Sequence, residues 1–204
     1  GRKKQLFEAF VNQPPTDIDV LLMEGSTIGR LAEDRTFPTE AEIEDELANT
    51  ARKTSGPLLV CASAQNIDRM GSLHRAAKKT DRNLIIDLYA AAVLEATGGK
   101  RIPQSNWPNI KIYIPEWQRR HIAKKKLFDL LQRHSKQRIF KESLKDIAPR
   151  SVFLFRPSLA TDLKEAAALE GAHLIWSQWD GYLKEESSTG LHNFLTQTNT
   201  QMSQ

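Results

Sequence analysis

Pro57-Leu58-Leu59-Val60-Cys61-Ala62-Ser63-Ala64-Gln65-Asn66-Ile67-Asp68-Arg69 passes from a short apolar run into a compact polar cluster and then into a helical repeat. An apolar run of this length, closed by turn residues, fits a strand buried on both faces. Beyond it, Ile67, Met70, Leu73 and Ala77 recur at helical spacing, which lays one face on a sheet and leaves Asp68, Arg75, Lys78 and Lys79 elsewhere. Outward from this stretch the pattern repeats. Strand-type runs stand at Val20–Met23, Leu84–Ile86, Ile110–Ile114, Val152–Phe155 and His173–Trp176. Helix-type segments lie between them. Thr39 and Glu42 form a capping box before Ile43 and Leu47, Leu88–Ala96 closes at Gly98-Gly99, and Asp162–Leu169 closes at Gly171. Residues 116–148 read as two helices, and the tail after Ser187 is polar and thinly apolar. Strands alternating with helices predict an α/β fold: a mostly parallel β-sheet flanked by helices in three layers, Rossmann-like, in a single domain.

At 204 residues and 40% apolar content, the chain suits one well-buried core. No apolar stretch approaches the roughly 20 residues of a membrane span, and the opening Gly1-Arg2-Lys3-Lys4 leads into no signal-peptide core. Cys61, the single cysteine, excludes an internal disulfide and suits a reducing cytoplasm. Its place at a strand end predicts a buried, inert thiol. Charge is unevenly spread: residues 116–145 carry ten Lys and Arg against three acids, a net +7 within a chain of +4. Such a surface gathers nucleic-acid phosphates or simply sits in water.

In an open parallel sheet, ligands bind outside the carboxyl ends of the strands, and most of the distinctive polar residues here follow strand-type runs. Glu24 precedes the small residues Gly25-Ser26-Thr27, which allow close backbone approach. The Ser63–Arg69 cluster opens a helix, where free N–H groups and a guanidinium suit a phosphate; Ser63 and Asn66 serve equally as ordinary caps. Arg156-Pro157-Ser158 repeats that arrangement. Ser177-Gln178-Trp179-Asp180-Gly181-Tyr182 sets aromatic rings among polar groups, as nucleotide stacking or plain packing would require. The five histidines show no metal-ligand spacing, and there is no glycine-rich phosphate loop and no Gly-x-Ser-x-Gly elbow.

Taken in order, these segments resemble the β-CASP region of metallo-β-lactamase-fold nucleases, the superfamily of ribonuclease J. Asp19–Thr27 is similar to the strand and Glu-(Ser/Ala/Gly)-Thr turn where that region begins. Residues 62–69, 84–89, 155–158 and 176–182 are similar to its successive segments. The resemblance implies a β-CASP-type domain over residues 1–204, with short pieces of the metallo-β-lactamase fold at about 1–30 and 187–204. It implies a piece of a cytoplasmic two-zinc hydrolase that cleaves RNA phosphodiesters, as exonuclease or endonuclease. The zinc motifs would lie outside this chain, which would bind no metal and be inactive alone. Glu24 would be the carboxylate holding a histidine of the downstream motif. Ser63, Asn66, Arg69, Arg156, Ser158 and Ser177 would hold substrate phosphates and bases. The implied partners are RNA or other single-stranded nucleic acid, the rest of the metallo-β-lactamase domain in cis, no membrane and, as an option, a second copy of the chain. Gly25-Ser26-Thr27-Ile28-Gly29 departs from many relatives in lacking a tyrosine after the threonine. The rival expectation is a stand-alone nucleotide- or RNA-binding module with no catalytic parent.

Overall fold

The computed structural model describes residues 2–22 and 37–204. Its contacts fall into two units, residues 1–37 and 38–204. In the first, α1 (Arg2–Asn12) is followed by irregular chain, and Leu6, Phe7, Phe10 and Val11 are exposed. The strand expected at Val20–Met23 is absent as far as it is described. Val20–Leu22 are irregular and exposed. Met23, Glu24 and the Gly25-Ser26-Thr27 turn lie outside the described residues.

The second unit is built on seven parallel strands: β1 (Leu58–Cys61), β2 (Asn83–Ile86), β3 (Ile110–Tyr113), β4 (Arg138–Ile139), β5 (Ser151–Leu154), β6 (His173–Trp176) and β7 (Gln201–Ser203). Their spatial order is β4-β3-β2-β5-β1-β6-β7. Centrally, β1 pairs with β5 through Leu58–Val60 and with β6 through Leu58–Cys61. The helices of this unit are α2 (Glu40–Lys53), α3 (Ile67–Lys79), α4 (Leu88–Ala96), α5 (Glu116–Lys125), α6 (Phe128–Arg133), α7 (Leu144–Ile147), α8 (Ala160–Glu165) and α9 (Thr189–Thr198). The 116–148 region therefore holds more than two helices, since β4 follows α6 and α7 follows β4. The polar tail also forms structure: α9 buries Leu191 and Phe194, and β7 pairs with β6.

Alternate residues of each central strand point to opposite faces, and this splits the core in two. Leu58, Val60, Leu84, Ile86, Val152 and Leu154 pack with Leu47 of α2, Met70 and Leu73 of α3, Leu94 of α4 and Ile122 of α5. Leu59, Cys61, Ile85, Phe153 and Leu174 pack on the other side with Leu144 of α7, Leu163 of α8 and Leu191 and Phe194 of α9. The result is a three-layer α/β/α sandwich, as the alternating pattern predicts. The Thr39 capping box forms as read: the hydroxyl accepts from the Glu42 N–H at 3.3 Å and a Glu42 carboxylate oxygen accepts from the Thr39 N–H at 2.7 Å.

Connection direction places the working edge. The chain steps from β1 to β2, β3 and β4 in one direction, with α3 to α6 on the first face. It then returns to β5 between β2 and β1, and proceeds to β6 and β7 in the opposite direction, with α7 to α9 on the second face. A single crossover hand requires this change of face when the direction reverses. So β5 leads into one layer while its neighbours β1 and β2 lead into the other. Their departing loops diverge and leave a crevice at the carboxyl ends, the topological switch point of an open sheet.

Candidate functional site: a crevice at the strand ends

A cleft of about 520 Å³ lies at this switch point. Its walls are Ala62–Gln65 after β1, Arg156 and Pro157 after β5, Trp176, Gln178 and Tyr182 at and after β6, and Tyr89 from the first turn of α4. Cys61 contributes to the floor. Burial pushes its thiol up to about 12, so it is protonated and unreactive at neutral pH, as its position in the sequence predicts.

Each loop is fixed by its own hydrogen bonds. The Ser63 hydroxyl accepts from the Gln65 N–H at 3.2 Å, and Asn66 caps α3 by accepting from the Arg69 N–H at 3.1 Å. The Gln65 side-chain amide donates to the Tyr89 hydroxyl at 2.9 Å, joining the β1 loop to α4. Asp87 caps α4 by accepting from the Ala90 N–H at 2.7 Å. Its second oxygen lies 3.3 Å from an Arg156 Nη. The Arg156 guanidinium also sits over the Tyr89 ring, 5.0 Å from its centroid. Arginine, phenol and carboxylate from two strand ends therefore form one unit on the cleft wall. The Arg156 charge is oriented by Asp87 and partly offset by it, and its side chain remains 30% exposed. Opposite, the Trp176 indole N–H donates to the Trp179 carbonyl at 3.3 Å, and Trp179 meets Tyr182 edge to face at 5.3 Å.

The residues singled out in the sequence separate by role. Ser63 and Arg156 line the cleft. Asn66 is occupied as a helix cap. Arg69 and Ser177 meet, but as a brace: the Arg69 side chain is only 13% exposed, and its guanidinium lies 3.2 Å from a Glu40 carboxylate oxygen and donates to both the carbonyl and the hydroxyl of Ser177. A phosphate would have to compete with Glu40 and Ser177 for Arg69. Ser158 lies on the far side of Arg156, where with Asp87, Tyr113 and Pro115 it lines a hollow of about 10 Å³, room for one water. Burial, with Asp162 nearby, pushes the Tyr113 phenol well above its ordinary pKa, so it is a neutral wall of that hollow. Glu24 is outside the described residues.

Tyr89, Gln65, Asp87, Gln178 and Tyr182 join the site from the structure. Each falls in a polar cluster just after a strand, so its neighbourhood was readable, but nothing in the spacing pairs Tyr89 with Arg156. Among the described residues, no three His, Cys, Asp or Glu side chains come together to hold an ion. What the crevice offers is an oriented cation, hydroxyl and amide hydrogen-bonding groups, and exposed aromatic faces. No protein-family model matches the chain, and no curated protein matches it.

Proposed function

We propose that the chain is the nucleic-acid-holding domain of a hydrolase acting on RNA phosphodiesters, with substrate lying across the crevice at the carboxyl ends of β1, β5 and β6. The observation that carries this reading is the Arg156–Tyr89–Asp87 unit beside the β1 loop. A fixed guanidinium suits a phosphate, and the open ring faces suit bases. Ser63 and Gln178 add groups able to hydrogen-bond sugar or base edges. The in-order resemblance to the β-CASP region supports the reaction class. The zinc ions of such an enzyme would be held by residues other than those described here, and this chain's part is to bind and orient the strand.

The test is binding of a short, labelled single-stranded RNA to the purified chain. Arg156→Gln should weaken binding about tenfold and lower the salt dependence by about 0.7 in log–log slope, the value for one lost phosphate contact. Tyr89→Ala should weaken binding by a similar factor. RNA should remain intact with the parent chain in the presence of zinc. Unchanged affinity in both variants would overturn the crevice as the RNA site, and cleavage by the chain alone would overturn its role as a holding domain.

A further inference from the structure

The basic segment is more than a charged surface, because two of its cations, Arg120 and Lys124, share a helix face with an open aromatic ring. In α5, Gln118 and Ile122 turn to the core. Trp117, Arg120, His121 and Lys124 recur at i, i+3, i+4 and i+7, which puts them on the opposite side, and all four are exposed. Trp117 leaves 44% of its surface open to solvent. Lys125 and Lys126 follow, with Lys126 turning the chain out of the helix in a left-handed conformation. The opposing charges are few: Glu116 pairs with Arg120, and Asp129 and Glu142 are exposed. The stripe also starts at the crevice edge of the sheet. The Glu116 N–H donates to Asp162 at 3.1 Å, and α5 follows β3, which lies two strands from β5, about 10 Å at the usual strand spacing.

We propose that this face is a second contact for single-stranded RNA, a track beside the crevice in which a base stacks on Trp117 while phosphates meet Arg120 and Lys124 along the helix and Lys125 and Lys126 at its end. It rests on the reading of the crevice as an RNA site, and it adds a requirement for unpaired bases that a plain cation patch lacks. A duplex keeps its bases stacked inside and offers Trp117 nothing.

The experiment measures binding of the full chain to single-stranded RNAs of about 4 and about 16 nucleotides, the span of known single-strand site sizes, and to a duplex of the longer length. Trp117→Ala should weaken the longer single strand about tenfold, leave the shorter strand and the duplex unchanged, and keep the melting temperature of the parent. Lys124→Ala/Lys125→Ala/Lys126→Ala should lower the salt slope for the longer strand by about 2. The proposal is overturned if neither variant changes binding of the longer strand. It is also overturned if Trp117→Ala weakens duplex and single strand equally, or if the changes reduce binding of anionic phospholipid vesicles and leave RNA binding alone. Arg156→Gln separates the two sites: loss on the short strand alone tests the crevice. If Arg156→Gln leaves the short strand unaffected while Trp117→Ala weakens the long one, the crevice reading falls and the α5 face stands as the RNA site.

Discussion

Arg69 donates from the first turn of α3 to the Ser177 carbonyl at 3.3 Å, tying the helix after β1 to the loop after β6. The same guanidinium is held by Glu40 at the start of α2, whose carboxylate also accepts from the Ser72 hydroxyl at 2.8 Å. One side chain thus joins three segments beside the cleft. Arg69→Ala should cost about 2 kcal/mol in urea unfolding, the scale of hydrogen bonds to a charged group. Arg69→Lys should recover only part of it, because an ammonium lacks the planar fork. The salt slope of RNA binding should stay at the parent value in both, since the Arg69 charge is already paired with Glu40 within the chain.

The thiol of Cys61 gives a direct reading of how closed the strand ends are. With the side chain 2% exposed and its pKa pushed up to about 12 by burial, native protein should resist a thiol reagent at pH 8. Full reaction should follow denaturation. Rapid labelling of the native chain would mean that the floor of the cleft opens.

At the opposite edge of the sheet, Gly56 passes directly over Glu170 and Gly171, and its N–H donates to the Gly171 carbonyl at 3.1 Å. A methyl group added at Gly56 would fall inside hard contact with the Glu170 carbonyl oxygen, which is backbone and cannot swing aside. Gly56→Ala should therefore destabilise by about 2 kcal/mol or more, by overpacking. A thermal melt measures it, and a Gly98→Ala control, where open space surrounds the site but φ is +61°, isolates the backbone cost alone.

Two buried histidines set a pH dependence. His74 lies 3.0 Å from the Asn109 amide oxygen and edge-on to Trp107. His134 lies 2.7 Å from the Ser105 hydroxyl, with Glu95 at 3.4 Å from its other nitrogen. Burial lowers both pKa values below the ordinary 6.5, against the opposing pull of Asn109 on one and Glu95 on the other. The unfolded chain then binds protons that the folded chain refuses. Their contribution to stability is present above pH 6.5 and lost as pH falls through the lowered folded values. Urea titrations between pH 7.5 and pH 5 should show stability falling by up to about 1.4 kcal/mol per pH unit for each histidine. His74→Gln/His134→Gln should make the profile shallower, leaving the part due to His173, whose pKa burial also lowers.

The core strands were legible because they are largely buried on both faces, so their runs are mostly apolar, with Lys111 the one charged residue inside them. β1, β2, β3, β5 and β6 all stand where such runs occur. The misreadings have physical causes. β4 and β7 are two and three residues long, with Arg138 and Gln201 among them, and a ladder that short leaves no periodicity. Val20–Leu22 is apolar yet irregular, because composition carries no information about whether a neighbouring strand exists. At the crevice, sequence order gives which residues follow strands, and parallel topology gathers them. It does not give partners. Arg69 and Arg156 read alike in sequence, each a cation after a strand, and only the positions of Glu40 and Asp87 decide that the first is a brace and the second a cleft wall.

The stubby outer strands have a consequence for how the molecule behaves in a crowd. A sheet's rim is where another polypeptide can zip on by main-chain pairing, and long flat rims template fibrils. Here one rim is a two-residue rung whose Arg138 guanidinium lies over the ring of Phe140, and the other is three residues long. Neither offers enough ladder for a stranger to register against, so the seven-stranded unit should stay dispersed at concentrations where flat-edged sheets would coalesce.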